Sequence, residues 1–259
     1  MGVRELKATL THNGAWFMPI IEKYFADMTK GDKPPYPGYL RPSGIDECAR
    51  MNLYTILGVN EGPSPDTQGM RYMCRGGVDH DTWYDIFKEA GIDVKGGHEH
   101  DTRLTHWDPN IKGKWDMIAR YSMLDYLFEW KSTGSTAKNP FWGHIVQWHI
   151  YAKILEIPRG FIVKQHPVSW QLIPIPMKYD KKFADNLFEW FMMTQQHAID
   201  KKILPHDEQC GPGKAWKTNC PIYEFCHGER GEYPFEEFPY DRKENPFLYD
   251  KEGNRVVRV

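Results

Sequence analysis

The chain has 259 residues, 41% hydrophobic and 26% charged, with a formal net charge of −2 and a pI near 6.6. This excludes collagen, coiled coil and long disordered tails; no window approaches the roughly 18 apolar residues of a membrane span, and Met1 to Phe25 lacks the order of a signal peptide, so a cytoplasmic protein with no membrane partner is expected. Nor is there the global basic field that usually advertises nucleic-acid binding.

Residues 11–29 place Trp16, Ile20, Ile21, Tyr24 and Phe25 at helical spacing, and the Gly and Pro residues of 31–39 break the pattern. Ser43 with Asp46 resembles a capping box, which predicts a helix from 44 to about 57 carrying Cys48, followed by a loop over 58–69. Trp83, Ile86, Phe87 and Ala90 predict a helix over 79–90, with His80 at its start and Gly91 as its stop. Residues 115–121 and 125–130 are two short apolar runs that read as a hairpin. A helix over 140–155, strands over 160–164 and 169–175, and a long amphipathic helix over 179–202 follow. Residues 204–259 are turn-rich and end in an aromatic, acidic tail; the part from Gly228 is a candidate partner contact.

The chemistry-bearing string is Gly113-x-x-Asp116, then Glu129-x-Lys131. Residues two apart on a strand share a face, so Glu129 and Lys131 point the same way, and a hairpin brings Asp116 near them. Two carboxylates need a counter-charge, which a hard divalent ion such as Mg²⁺ or Mn²⁺ supplies through oxygen ligands, and an adjacent lysine stabilises charge building on a phosphate. E-x-K alone is common on solvated strand faces. Glu129, however, lies within Tyr126-Leu127-Phe128-Glu129-Trp130, where an unpaired charge is expensive.

With these motifs the chain resembles the PD-(D/E)XK nucleases, in particular their RecB-like exonuclease branch with CRISPR-associated and AddB-type iron–sulfur members. The likeness covers roughly residues 43–227: a histidine at a helix start (His80), a G-x-x-D strand (Gly113 to Asp116), an E-x-K strand (Glu129 to Lys131) and a Q-x-x-x-Y helix (Gln147 to Tyr151), in order. The resemblance implies that His80, Asp116, Glu129 and the carbonyl of Trp130 bind the metal. Lys131 would position the attacking water, and Gln147 and Tyr151 would touch DNA phosphate or the active-site groups. The turn at 121–125 is shorter than in the family, and Trp130 stands where an aliphatic residue is commoner. His98 and His100, with Glu99 between them, are the alternative source of the imidazole.

Cys210, Cys220 and Cys226 cluster in the turn-rich segment, far from Cys48. Four thiolates suit zinc or an iron–sulfur cluster, and His206 or His227 would also complete a zinc site. The resemblance implies a 4Fe-4S cluster on Cys48, Cys210, Cys220 and Cys226, with zinc as the runner-up and Cys74 a bystander.

The expected protein is therefore an α/β chain with a restriction-endonuclease-like core, a central mixed sheet flanked by helices in the order αβββαβ. An iron–sulfur subdomain would join its N- and C-terminal segments, the divisions falling at 1–76, 77–203 and 204–259. The expected function is metal-dependent DNA hydrolysis, as an exonuclease on single strands or duplex ends. The setting would be phage-type or CRISPR-associated recombination, replication or repair, in the host cytoplasm if phage-encoded. Trp142, Trp148 and Trp170 are candidates to stack on unpaired bases. Expected partners are DNA, a second copy of the chain, or a replication or recombination protein held through the tail. The rivals are a catalytically silent DNA-end-binding module and a zinc-stabilised interaction protein.

Overall fold

The computed structural model describes residues 23, 39–44, 48–57, 67–98, 101–107, 109–133, 139–200, 202, 204 and 226. The expected opening helix and the tail from Gly228 lie outside these residues. The chain divides into two units, 1–33 with 63–77, and 34–62 with 78–259, and every site residue discussed below belongs to the second. No described helix is long and apolar enough to cross a membrane.

A 3-10 turn at Pro42–Gly44 leads to helix α1, Ala49–Ile56, and then α2, Thr67–Glu89. Strands β1, Asp93–Gly96, β2, Arg103–Trp107, β3, Asn110–Lys114, β4, Met117–Tyr121, and β5, Leu124–Ser132, follow. Helix α3, Trp142–Ile154, crosses to β6, Arg159–Gln165, and β7, Leu172–Lys178, precedes α4, Lys181–Ile199. The main sheet has the order β1-β4-β5-β6-β7, while β2 and β3 form a separate two-stranded ribbon. Only the β5–β6 pair is parallel, because α3 carries the chain back to the starting edge; the other pairs are antiparallel.

Three differences from the sequence reading matter. Helix α1 begins at Ala49 rather than 44, after Cys48, which makes no side-chain cap bond. Helix α2 begins at Thr67 rather than 79, so His80 stands well inside a helix and not at its start. Gly69, Gly76 and Gly77 dilute the apolar pattern of its first half and hide it from periodicity. The ribbon β2–β3 has no counterpart among the expected elements, and Trp115 and Asp116 form a link between β3 and β4 rather than part of a strand.

Gly77 is exposed within α2, and a Cβ added there meets nothing within 4 Å. Since a helical glycine costs about 0.5–1 kcal/mol relative to alanine, Gly77→Ala is expected to raise the urea midpoint by the equivalent of that amount. An unchanged or lower midpoint would contradict a helix through this position.

Both sheet faces are covered. On one, Leu127 and Ile162 pack with Trp148, Tyr151 and Ala152 of α3. On the other, Met117, Ala119, Trp130 and Val163 pack with Tyr84 of α2, and Trp83 stacks on Trp130 at 5.1 Å. A third cluster joins α1, α3 and α4 around Leu53, Ile150 and Phe191. Eight of the thirteen residues of α3 are buried, as expected of a helix enclosed on most sides. A pocket of about 250 Å³ lined by Phe87, Tyr126, Phe128 and Phe161 among others opens on the α2 side, across the sheet from the charged residues.

Candidate active site

Strand β5 lies between β4 and β6, so its alternate residues enter the layer under α3. Two of these, Glu129 and Lys131, are charged. Glu129 is 0% exposed, and Lys131 Nζ donates to its Oε2 at 3.1 Å and to Gln147 Oε1 at 3.0 Å. Gln147, itself buried on α3, thus gives the amine a second acceptor. Burial, reinforced by the Asp116 charge, pushes the Glu129 carboxyl up to about 8. Burial alone would lower Lys131, but the Glu129 and Asp116 charges outweigh it and hold the amine above its usual range. At neutral pH the amine is a cation. Glu129 Oε1 is buried without a hydrogen-bond partner.

Asp116 arrives from the link before β4. The β4–β5 ladder ends at the pair Met117 and Phe128, and just beyond it the Trp130 N–H donates to Asp116 Oδ2 at 2.8 Å. Asp116 Oδ1 lies 3.4 Å from Nδ1 of His80 on α2. Gly96, at φ +128°, closes β1 directly against the Asp116 backbone, where a Cβ would strike the Asp116 carbonyl. Tyr151 holds the same link from below: its hydroxyl donates to the Lys114 carbonyl at 2.9 Å and accepts from the Lys114 N–H at 3.2 Å. Burial and the Glu129 charge hold this phenol above its ordinary range, so it stays a donor.

A Cβ on Gly113 would lie 2.6 Å from the Tyr151 hydroxyl. Gly113→Ala is therefore expected to cost about 1–3 kcal/mol of stability through overpacking and to loosen the grip on Lys114. Urea unfolding checks this; an unchanged midpoint would show that Tyr151 yields freely.

The structure thus brings His80, Asp116, Glu129, Lys131, Gln147 and Tyr151 to one corner of the sheet, from α2, the β3–β4 link, β5 and α3. His98 is elsewhere, exposed on the surface 3.8 Å from Asp81 and 3.9 Å from Asp85. Glu99 and His100 lie outside the described residues. Of the aromatic candidates, Trp148 is fully buried with its Nε1–H donating to the Leu127 carbonyl, while Trp142 and Trp170 are exposed. Sequence reasoning misses Gly96 and Trp83, which back Asp116 and Trp130. The Gly96-Gly97 pair just before the ribbon is the one available signal.

The expected cofactors are corrected by the structure. Among the described residues, no group of three or more His, Cys, Asp or Glu side chains is arranged to hold a metal ion. This overturns the iron–sulfur subdomain, the 4Fe-4S cluster and its zinc alternative, and with them the iron–sulfur branch of the resemblance and the zinc-stabilised rival. Cys48 and Cys226 are buried in the α1–α3–α4 core and form no disulfide among the described residues, with Arg50 Nη1 donating to Cys226 Sγ at 3.7 Å. Burial pushes the Cys226 thiol above its usual range. Cys210, Cys220, His206 and His227 lie outside the described residues; Cys74 is a free, half-buried thiol. The expected Mg²⁺ or Mn²⁺ site is corrected by the same finding. One oxygen of Glu129 is taken by Lys131 and one of Asp116 by the Trp130 N–H, with His80 beside Asp116.

No family model and no curated protein sequence matches the chain. Among solved structures, the crystal structure of SSO0001 is similar at a TM-score of 0.51 and 14% identity, over 81% of this chain and 95% of that one. The likeness is one of fold. Below that level stands an alkaline exonuclease, LHK-Exo, from Laribacter hongkongensis, alone and in complex with dAMP. Both of its structures have a TM-score of 0.45, at 13% and 12% identity, over 70% of this chain and 93% of theirs. In this chain the architecture is a mixed sheet flanked by helices, and among the described residues no iron–sulfur subdomain is present.

Proposed function

We propose that the chain is a DNA nuclease that hydrolyses phosphodiesters at the Asp116, Glu129 and Lys131 corner, acting as an exonuclease on single strands or duplex ends. The observation that carries this reading is Lys131. Its ammonium is held between Glu129 and Gln147 at a site where a second carboxylate, Asp116, reaches the same strand. A solvated E-x-K strand face would need neither the buried glutamate nor a buried amide as second acceptor for the amine.

Hydrolysis places a water oxygen on phosphorus, breaks the bond to the sugar oxygen and builds negative charge on the phosphate. Lys131 meets that charge from a low-dielectric position, where a cation counts for more than in water. Asp116 is the more open of the two carboxylates and accepts the proton of the attacking water, with His80 beside it. Gln147 and Tyr151 are positioning residues: one holds the amine and the other the strand that delivers Asp116.

The test is cleavage of end-labelled single-stranded, duplex and circular DNA by the full chain, in EDTA and with added Mg²⁺ or Mn²⁺. Cleavage of linear but not circular DNA, lost in Lys131→Ala, is expected. A wild-type protein that binds DNA ends and cleaves none of the three under any condition would be the silent module instead.

A further inference from the structure

An aromatic surface adjoins the Asp116 corner on the α2 side of the sheet. Trp130, whose N–H holds Asp116, stacks its ring on Trp83 at 5.1 Å, and Trp83 meets Trp170 of the β6–β7 turn at 6.2 Å. His80, beside the same carboxylate, stands three residues before Trp83 on α2 and so shares its helix face. Trp83 is fixed by its indole N–H, which donates to Gln165 Oε1 at 2.5 Å. The three rings run outward from a buried Trp130 through a half-buried Trp83 to Trp170, which is 46% exposed. Trp170 has φ +58°, a left-handed conformation that glycine and asparagine adopt readily and a bulky residue does not. The turn over 166–171 holds it there. The Trp170 N–H donates to the His166 carbonyl and the His166 N–H to the Gln171 carbonyl, both at 3.0 Å, while the Val168 and Ser169 N–H groups donate to His166 Nδ1. A turn that served only to join β6 to β7 would close with less strain on a glycine; this one presents a large aromatic ring next to the residues that hold the site.

We infer that Trp170, braced by Trp83, stacks an unpaired base of a DNA strand whose backbone lies at the Asp116 corner. Bases stack on indole rings without regard to sequence, which suits an enzyme that moves along a strand. A base inside a duplex has both faces covered, so the platform takes single strands or strand ends. The inference rests on the nuclease reading, because that reading puts DNA at Asp116.

The test is fluorescence anisotropy on the full chain, in the Lys131→Ala background, with two labelled strands of equal length: oligothymidine and a strand of abasic tetrahydrofuran residues. Trp170→Ala is expected to weaken oligothymidine binding about fivefold or more, as loss of one stacked base does, with the slope of log affinity against log salt unchanged. Affinity for the abasic strand should stay as it was, since that strand keeps its phosphates and has no base to stack. Trp170→Phe should keep most of the affinity for oligothymidine. Val168→Ala, on the same turn and 81% exposed, should change binding of neither strand.

Oligothymidine binding unchanged in Trp170→Ala overturns the platform. So does an equal loss on both strands, which would make Trp170 a support for the turn and not a surface for bases. Should Trp170→Ala fail to fold, the same comparison is made with Trp170→Asn, since asparagine accepts the left-handed backbone. Failure of the platform is distinct from failure of the nuclease reading, which shows separately as cleavage surviving Lys131→Ala.

Discussion

Lys131→Ala is expected to reduce DNA cleavage by at least about a hundredfold, since charge stabilisation or proton transfer by one placed side chain contributes roughly 10²–10⁴ in rate. The amine is the group least replaceable by its surroundings. Two hydrogen bonds aim it, at 3.1 Å to Glu129 and 3.0 Å to Gln147, and water has little access for compensation because Glu129 is fully buried. Removing one partner of a buried pair can cost about 3–5 kcal/mol when the other charge is stranded. Here the loss is softened, because burial already holds the Glu129 carboxyl well above its usual range and so favours its neutral form. The variant should therefore remain folded, and a urea melt verifies this. Cleavage surviving within about tenfold of wild type in folded Lys131→Ala, outside the range such side chains supply, would refute the assigned role. Lys131→Met, which keeps most of the volume, repeats the test with less change in packing.

Glu129→Gln should change the pH dependence of stability more than any other single substitution in this site. The sign follows from direction: the folded carboxyl is raised from 4.5 to about 8, first by burial and then by the Asp116 charge. The folded state thus holds a proton that the unfolded chain has released. That contribution is fully present below pH 4.5 and is lost as pH rises through about 8. Each unit of such displacement corresponds to about 1.4 kcal/mol, so the loss across this window amounts to a few kcal/mol. Lys131, held above the usual lysine range, titrates only above the window and does not mask it. Glutamine has no proton to lose; its urea midpoint should stay level where that of wild type falls, and the variant should be the more stable of the two at pH 8. Midpoints that run parallel from pH 4.5 to pH 8.5 would show that Glu129 is solvated or already ionised.

Several features of the fold and the site have local signatures in the sequence. The β4–β5 hairpin, the α3 helix, the α4 helix and the E-x-K string are marked by apolar periodicity, a two-residue strand spacing, and a charged residue inside an apolar run. The relation of Gln147 to Tyr151 is also local, because residues four apart share a helix face. The first half of α2 is hidden by Gly69, Gly76 and Gly77, which is why the pattern puts His80 at a helix start when it lies inside one. The cysteines mislead because thiol spacing in a turn-rich segment resembles ligand spacing. Burial in the α1–α3–α4 core is what distinguishes Cys48 and Cys226, and spacing carries no measure of burial.

By itself the sequence determined the α/β class, the order of the main elements and the fact that Asp116, Glu129 and Lys131 would lie close together, because hairpin pairing and strand alternation are short-range rules. Only the tertiary structure decided the protonation and the partners of those groups. The upward shift of the Glu129 carboxyl depends on desolvation by burial and on the Asp116 carboxyl, and the aim of Lys131 depends on an amide from α3. The neighbouring Lys164 reaches the same face through the β5–β6 register, which a crossover helix sets and no local pattern encodes. Electrostatic energy depends on distance and on the surrounding dielectric, and both are properties of the packed chain.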